Sequence, residues 1–276
     1  MEIIEQLIVS KRDRQDLCED GLFINEHFAA VIDGCTSKKP IKGLNQSAGV
    51  IAKECLLSAL LCLEGSETME QAFLAMNDSI VRWYEKMGLK DEAQRDTSLR
   101  PSAYAAIVSV KRREVWVLGD CQALYEGFLV TKHKAIDTLM EDVRRLLVEH
   151  ALLNGKTYDQ LLEDPAFIQE RLDALMQLQS AFQNTREAYH YRYAVLDGFF
   201  FDTREVQVAR LSEGPVDVVL ASDGYPVLFA TLEESEAYLH QVLSEDPLMV
   251  FKHGATKPLI RGNVSFDDRS FLRILV

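Results

Sequence analysis

Asp33, Asp120 and Asp223 occupy the same position in three separate stretches. Each closes an apolar run, in "FAAVIDG" (28–34), "EVWVLGD" (114–120) and "VVLASDG" (218–224). Two further acidic pairs stand just ahead of an apolar run, Glu19-Asp20 in "CEDGLFI" and Asp267-Asp268 in "SFDDRSFLRILV". One Asp-Gly after a strand is most simply a turn, because both residues favour turn geometry. Five acidic corners in one chain point to something else. Carboxylates that converge from separate strand ends repel one another unless a cation offsets their charge. Hard divalent cations with oxygen ligands do this, and no His/Cys set with spacing suited to zinc is present. The chemistry these residues offer is that of Mg²⁺ or Mn²⁺.

The elements that must position the corners follow from hydrophobic periodicity. Strands are expected at 2–10, 21–25 and 28–33, then two amphipathic helices at 45–63 and 68–88. A polar loop (89–101) leads to strands at 102–112, 114–120 and 123–133. Helical character runs from 135 to 184. Strands at 193–201, 205–211 and 216–221 follow, then a helix at 231–245 and a closing strand at 270–276. The aromatic run at 199–201 reads as part of a buried strand. Runs of strands between pairs of long helices indicate an α+β architecture with helices packed on antiparallel sheets. With no repeat, low-complexity tract or linker, residues 1–276 read as one domain.

Composition narrows the function. The 276 residues are 47% hydrophobic and 26% charged, enough for a substantial core in an ordinary soluble protein. A net charge of −13 with no basic stripe excludes a nucleic-acid binder, which must neutralise phosphates. Five cysteines without C-x-x-C spacing form neither a disulfide framework nor a zinc ribbon. The start shows no secretory signal, and "CLLSALLCL" (55–63) is too short to span a bilayer. A cytoplasmic protein with no membrane partner is the expectation. Oligomeric state is not legible.

In order and approximate spacing the five corners resemble the metal-dependent serine/threonine phosphatases of the PP2C (PPM) type. The matching motifs are Glu19-Asp20, Asp33-Gly34, Gly119-Asp120-Cys121, Ser222-Asp223-Gly224 and Asp267-Asp268-Arg269-Ser270. The resemblance covers nearly the whole chain and implies a four-layer α-β-β-α sandwich, two antiparallel sheets flanked by helix pairs. It also implies two metal ions and a third, weaker one. Asp33 would bridge the two, Gly34 would offer its backbone carbonyl, and Asp223 and Asp267 would complete one coordination sphere. Asp20 and Glu19 would act largely through metal-bound waters, Asp120 would hold the third ion, and Asp268 would support from behind. Asp33, Asp223 and Asp267 carry the catalytic assignment. The implied reaction is hydrolysis of phosphoserine or phosphothreonine in a phosphoprotein by a metal-bridging hydroxide. Such a reaction rests on positioning and charge neutralisation and needs no protein nucleophile.

The chain also departs from that pattern. After Asp33 it reads "DGCTSKKP", without the family's paired glycines or the His found in some members. Where the family carries its phosphate-binding Arg, this chain has Gln15; Arg14 is the nearest substitute, with Lys38 or Lys39 next. A cysteine-dependent phosphatase is excluded, because a Cys-x5-Arg loop is missing and Ile41 stands six residues after Cys35. Cys18 and Cys35 read as small buried residues rather than redox switches. The remaining rival is a catalytically inactive binding or regulatory module on the same fold. Such a module has no need to keep Asp33, Asp223 and Asp267 together.

Overall fold

The computed structural model describes residues 1–36, 41 and 43–276. Its strands form two antiparallel sheets, as the resemblance implies, each of five strands. The first sheet runs in the order β1 (Glu2–Val9), β10 (Arg269–Leu275), β9 (Asp217–Ala221), β6 (Gln122–Tyr125) and β7 (Phe128–Val130). The second runs β2 (Asp20–Ile24), β3 (Phe28–Gly34), β4 (Ala103–Ser109), β5 (Glu114–Leu118) and β8 (Gln207–Arg210).

Side chains alternate across a strand, so each central strand serves two cores. In β9 and β10, Val218, Leu220, Leu272 and Ile274 join the main core with Trp116, Val117 and Leu118 of β5. Val219, Ala221 and Phe271 face the other way, onto Leu239, Val242 and Leu243 of α7 (Leu232–Glu245). Every residue of β4 is buried, and in β3 all are except Asp33. These two strands therefore read as continuous apolar runs rather than alternating ones.

The second sheet is covered by α1 (Ala48–Leu61) and α2 (Met69–Met87), which share its core through Leu56, Leu60, Phe73, Met76 and Ile80. Full burial of side chains of this size stabilises by about 1.5–3 kcal/mol each. Ser47 caps α1 by accepting from the Val50 N–H, and Thr68 with Gln71 forms a reciprocal capping box on α2. The stretch expected as a loop contains a short helix, α3 (Lys90–Arg95).

Between β7 and β8 the chain leaves the sheets for α4 (Ala135–Leu153), α5 (Tyr158–Glu163) and α6 (Ala166–Gln179). Met140, Val148, Leu161, Ile168 and Leu172 form a separate small core there, closed by Leu248 and Val250 from beyond α7.

Two expected strands resolve differently. The one read at 123–133 is a hairpin, β6 to β7, turning at Glu126-Gly127, where both residues have positive φ. The one read at 193–201 is irregular, with single bridges only at Tyr193 and Leu196. Its backbone is satisfied by side chains instead. Asn77 Oδ1 accepts from the N–H groups of Asp197 and Gly198, and Tyr84 donates to the Asp197 carbonyl. The Arg100 guanidinium lies 3.8 Å from the centre of the Phe199 ring, which packs against the core; of the three aromatics only Phe201 is buried, and Phe200 is exposed.

Candidate metal centre

Strand register brings the corners together at one end of the sandwich. Asp20 and Asp33 are direct neighbours across β2 and β3. Asp120 lies in the turn from β5 of the second sheet to β6 of the first. In the first sheet Ala221 pairs with both Gln122 and Phe271, so Asp223 leaves the sheet at the same end. One carboxylate oxygen from each of Asp33, Asp120 and Asp223 lies within 4.8 Å of the others. Among the described residues no ammonium or guanidinium pairs with Asp33 or Asp223.

Among the described residues Asp120 pairs with one cation, Lys134 just ahead of α4, at 2.8 Å from Oδ2. Its Oδ1 is buried without a hydrogen-bond partner among the described residues. Lys134 also pairs with Asp137 at 2.9 Å and donates to the Tyr104 hydroxyl at 3.1 Å. Burial works against the Lys134 charge, but Asp120, then Tyr104 and Asp137, more than offset it and raise its pKa.

The unbalanced charge shows in the acids. Burial, then the charges of Asp223, Asp20 and Asp120, pushes Asp33 well above the usual carboxylate range. Asp223 rises well above that range too, through burial and then Asp267 and Asp120. Asp20 is pushed up to about 7, mainly by burial, although the Ser270 hydroxyl donates to it at 2.8 Å. An oxygen-only cluster with an orphaned buried acceptor suits a hard divalent ion, so this donor set fits the metal expected from the sequence.

The surrounding corner is tightly built. The Gly34 N–H donates to the Glu19 carbonyl at 3.1 Å. A Cβ on Gly34 would stand 2.4 Å from the Gly49 carbonyl oxygen and 2.6 Å from that of Glu19, so only glycine fits between β2 and the start of α1. The Glu19 carboxylate accepts from Thr36 and, at 2.7 Å, from Ser47, the cap of α1. Asp268 ties the chain ends together, accepting from the N–H groups of Lys11 at 2.8 Å and Glu19 at 2.7 Å. Gly224 passes close to that junction, where a Cβ would meet the Asp268 carbonyl oxygen at 2.2 Å.

Asp267 pairs with two lysines. Lys11 Nζ lies 2.7 Å from its Oδ1 and Lys257 Nζ 2.6 Å from its Oδ2. Burial opposes its ionisation, yet Lys257 and Lys11 outweigh that and hold it below the usual range. Arg14 stands apart from the centre. Its exposed guanidinium forms a two-point pair with Asp16, at 2.9 and 2.6 Å, and does not line the cleft. Lys38 and Lys39 lie outside the described residues.

A cleft of about 610 Å³ opens over the carboxylates, walled by α4, α6 and residues 252–257. Arg144 of α4, 2% exposed, braces this wall by donating to the carbonyls of Leu248, Met249 and Ala255. Lys11, Lys134, Lys257 and Arg144 are functional candidates that sequence reasoning missed. Isolated basic residues carry no spacing signal, and only the fold sets each beside a carboxylate or a carbonyl. Cys18 and Cys35 suit packing roles: burial pushes the Cys18 thiol up to about 12 and Cys35 well above its ordinary value.

No protein-family model and no curated protein sequence matches the chain. Among solved structures it is similar to the serine/threonine phosphatase PstP of Mycobacterium tuberculosis, at 14% identity and a TM-score of 0.47, covering 99% of this chain and 98% of that one. The PPM Ser-Thr phosphatase MsPP of Mycobacterium smegmatis matches at 13% identity and TM-score 0.44, with 99% of each chain covered. The serine/threonine phosphatase Stp1 of Staphylococcus aureus matches at 15% and 0.46, with 100% and 97% covered. The chemistry of the present site rests on its own residues. No helix of the described residues is long and apolar enough to cross a membrane.

Proposed function

We propose that the chain, as one domain, is a metal-dependent phosphomonoester hydrolase acting on phosphoserine and phosphothreonine in proteins. One observation carries the reading: three carboxylate oxygens from separate turns lie within 4.8 Å of one another, and among the described residues Lys134 is the one ammonium paired with any of them. Asp33, Asp120 and Asp223 would hold Mn²⁺ or Mg²⁺, with the Gly34 carbonyl beside them. When bound, such ions lower the pKa of a coordinated water, which supplies the nucleophile, and offset the charge of a phosphoryl group.

The protein's own part is placement and exclusion. Gly34, Gly224 and Asp268 set the backbone so that the carboxylates meet. The wall braced by Arg144 borders the cleft in which a phosphorylated side chain would lie. Lys134 keeps Asp120 oriented, because its ammonium is fixed by Asp137 and Tyr104. The two ammoniums on Asp267 favour a second reading, a non-catalytic binding module on the same fold.

Hydrolysis of a generic aryl phosphate with and without added Mn²⁺ separates the two. Activity that appears with Mn²⁺ and disappears with excess chelator is the expected result. Full activity in excess chelator overturns the metal reading. No turnover at any metal concentration leaves the binding module.

A further inference from the structure

We infer that Lys11 and Lys257 serve Asp267 as built-in counter-ions, so that the protein takes its divalent cation at Asp33, Asp120 and Asp223 and holds Asp267 outside that coordination sphere. The inference rests on the metal-centre reading above.

Both Asp267 oxygens are occupied. Oδ1 accepts from Lys11 Nζ at 2.7 Å and from the Asp268 N–H at 3.0 Å, and Oδ2 accepts from Lys257 Nζ at 2.6 Å. An ionised carboxylate offers about four lone-pair sites, and three are taken here, two of them by ammoniums. The pairing is also balanced. Lys11 lies 3.6 Å from Glu19 Oε2, so two ammoniums face two carboxylates, Asp267 and Glu19. Among the described residues Asp33, Asp120 and Asp223 have one ion pair, Asp120 with Lys134, itself shared with Asp137; Lys257 also acts on Asp223 through its charge but spends its contact on Asp267, so the larger charge deficit stays with these three. A divalent ion gains most where that deficit lies.

The two lysines are not equivalent. Lys11 is 8% exposed, its backbone N–H is bound by Asp268, and its ammonium also reaches Thr36. Lys257 sits at the cleft, with 38% of its side chain exposed. It is the one that can be replaced without opening the core.

Calorimetric titration of the full chain with Mn²⁺ alone, at fixed pH and ionic strength, tests the inference. Wild type should take up Mn²⁺, and Asp267→Asn should leave the tightest uptake within about threefold, because Asp267 is outside it. Lys257→Met should expose Asp267 and add a further equivalent of Mn²⁺, or tighten the weakest one by about tenfold. Lys257→Gln should do the same, and thermal melts show that each variant is folded. Unchanged stoichiometry and affinity in both Lys257 variants overturns the inference, as does loss of the tightest Mn²⁺ in Asp267→Asn. Wild type that takes up no Mn²⁺ overturns the metal-centre reading and this inference with it.

Discussion

Replacing Asp223 by Asn should make the metal-free protein more stable while removing its response to metal. The carboxylate oxygens of Asp33, Asp120 and Asp223 lie within 4.8 Å of one another. At that separation and an effective dielectric of about 20, each like-charge pair costs about 3.5 kcal/mol. Two such pairs put the repulsion on a fully ionised Asp223 at about 7 kcal/mol. Partial protonation of Asp33 and Asp223, and Lys134 beside Asp120, reduce the realised figure to about 1–3 kcal/mol. An amide keeps the shape and removes the charge, and Asp223 accepts no hydrogen bond from the described residues that would be lost. For a chain of this size the gain should raise the melting temperature by about 3–10 °C in chelator. Wild type should gain about 2.7 kcal/mol in Mn²⁺ at a hundred times Kd, and the variant should gain far less. Its kcat/KM should fall by at least about 10³-fold, equivalent to about 4 kcal/mol. Scanning calorimetry of both proteins, in EDTA and in Mn²⁺, gives the comparison. A variant that melts at or below wild type without metal, and still gains stability from Mn²⁺, would refute the reasoning and return Asp223 to the role of a turn residue.

Without metal, stability should fall as pH rises. Asp20 is held at about 7 by burial, and Asp33 and Asp223 also lie well above the usual range. A carboxyl raised in the fold binds its proton more tightly there than in the unfolded chain. Its stabilisation is therefore full below about pH 4 and, for Asp20, lost as pH rises through about 7. The protein in chelator should melt lower at pH 8 than at pH 5.5, with Mn²⁺ shrinking the difference; a flat or rising profile in chelator counts against the buried acids. Gly34→Ala should cost at least about 2 kcal/mol in urea unfolding, because its Cβ would meet two backbone carbonyls at 2.4 and 2.6 Å. Wild-type stability in that variant would mean the corner can open. Arg14→Ala should leave both KM and kcat unchanged, since the guanidinium is paired with Asp16 away from the cleft; a clear rise in KM would bring Arg14 back into phosphate binding.

Local pattern was enough to show where the strands end on acids. Apolar runs closing at Asp33, Asp120 and Asp223 were legible because a buried strand must end where a charge reaches solvent or a cation, and that is written in consecutive residues. The helix pair α1 and α2 and the expectation of a hard cation followed from local pattern as well, whereas the division into two sheets came with the family resemblance. The sequence was weaker where the backbone is satisfied by distant side chains. At 193–201 a strand-like run is held irregular by Asn77 and Tyr84, more than a hundred residues away. Tertiary structure alone decided the counter-ions. Lys11, Lys134 and Lys257 reach carboxylates through register and loop packing, and an ion pair between residues 11 and 267 leaves no periodicity in the chain. The same holds for Arg14, whose place near Glu19-Asp20 suggested a phosphate ligand. Its partner was the aspartate two residues along, because the exposed 3-10 turn at Gln15–Leu17, which Arg14 precedes, lets those side chains meet before either can reach the cleft.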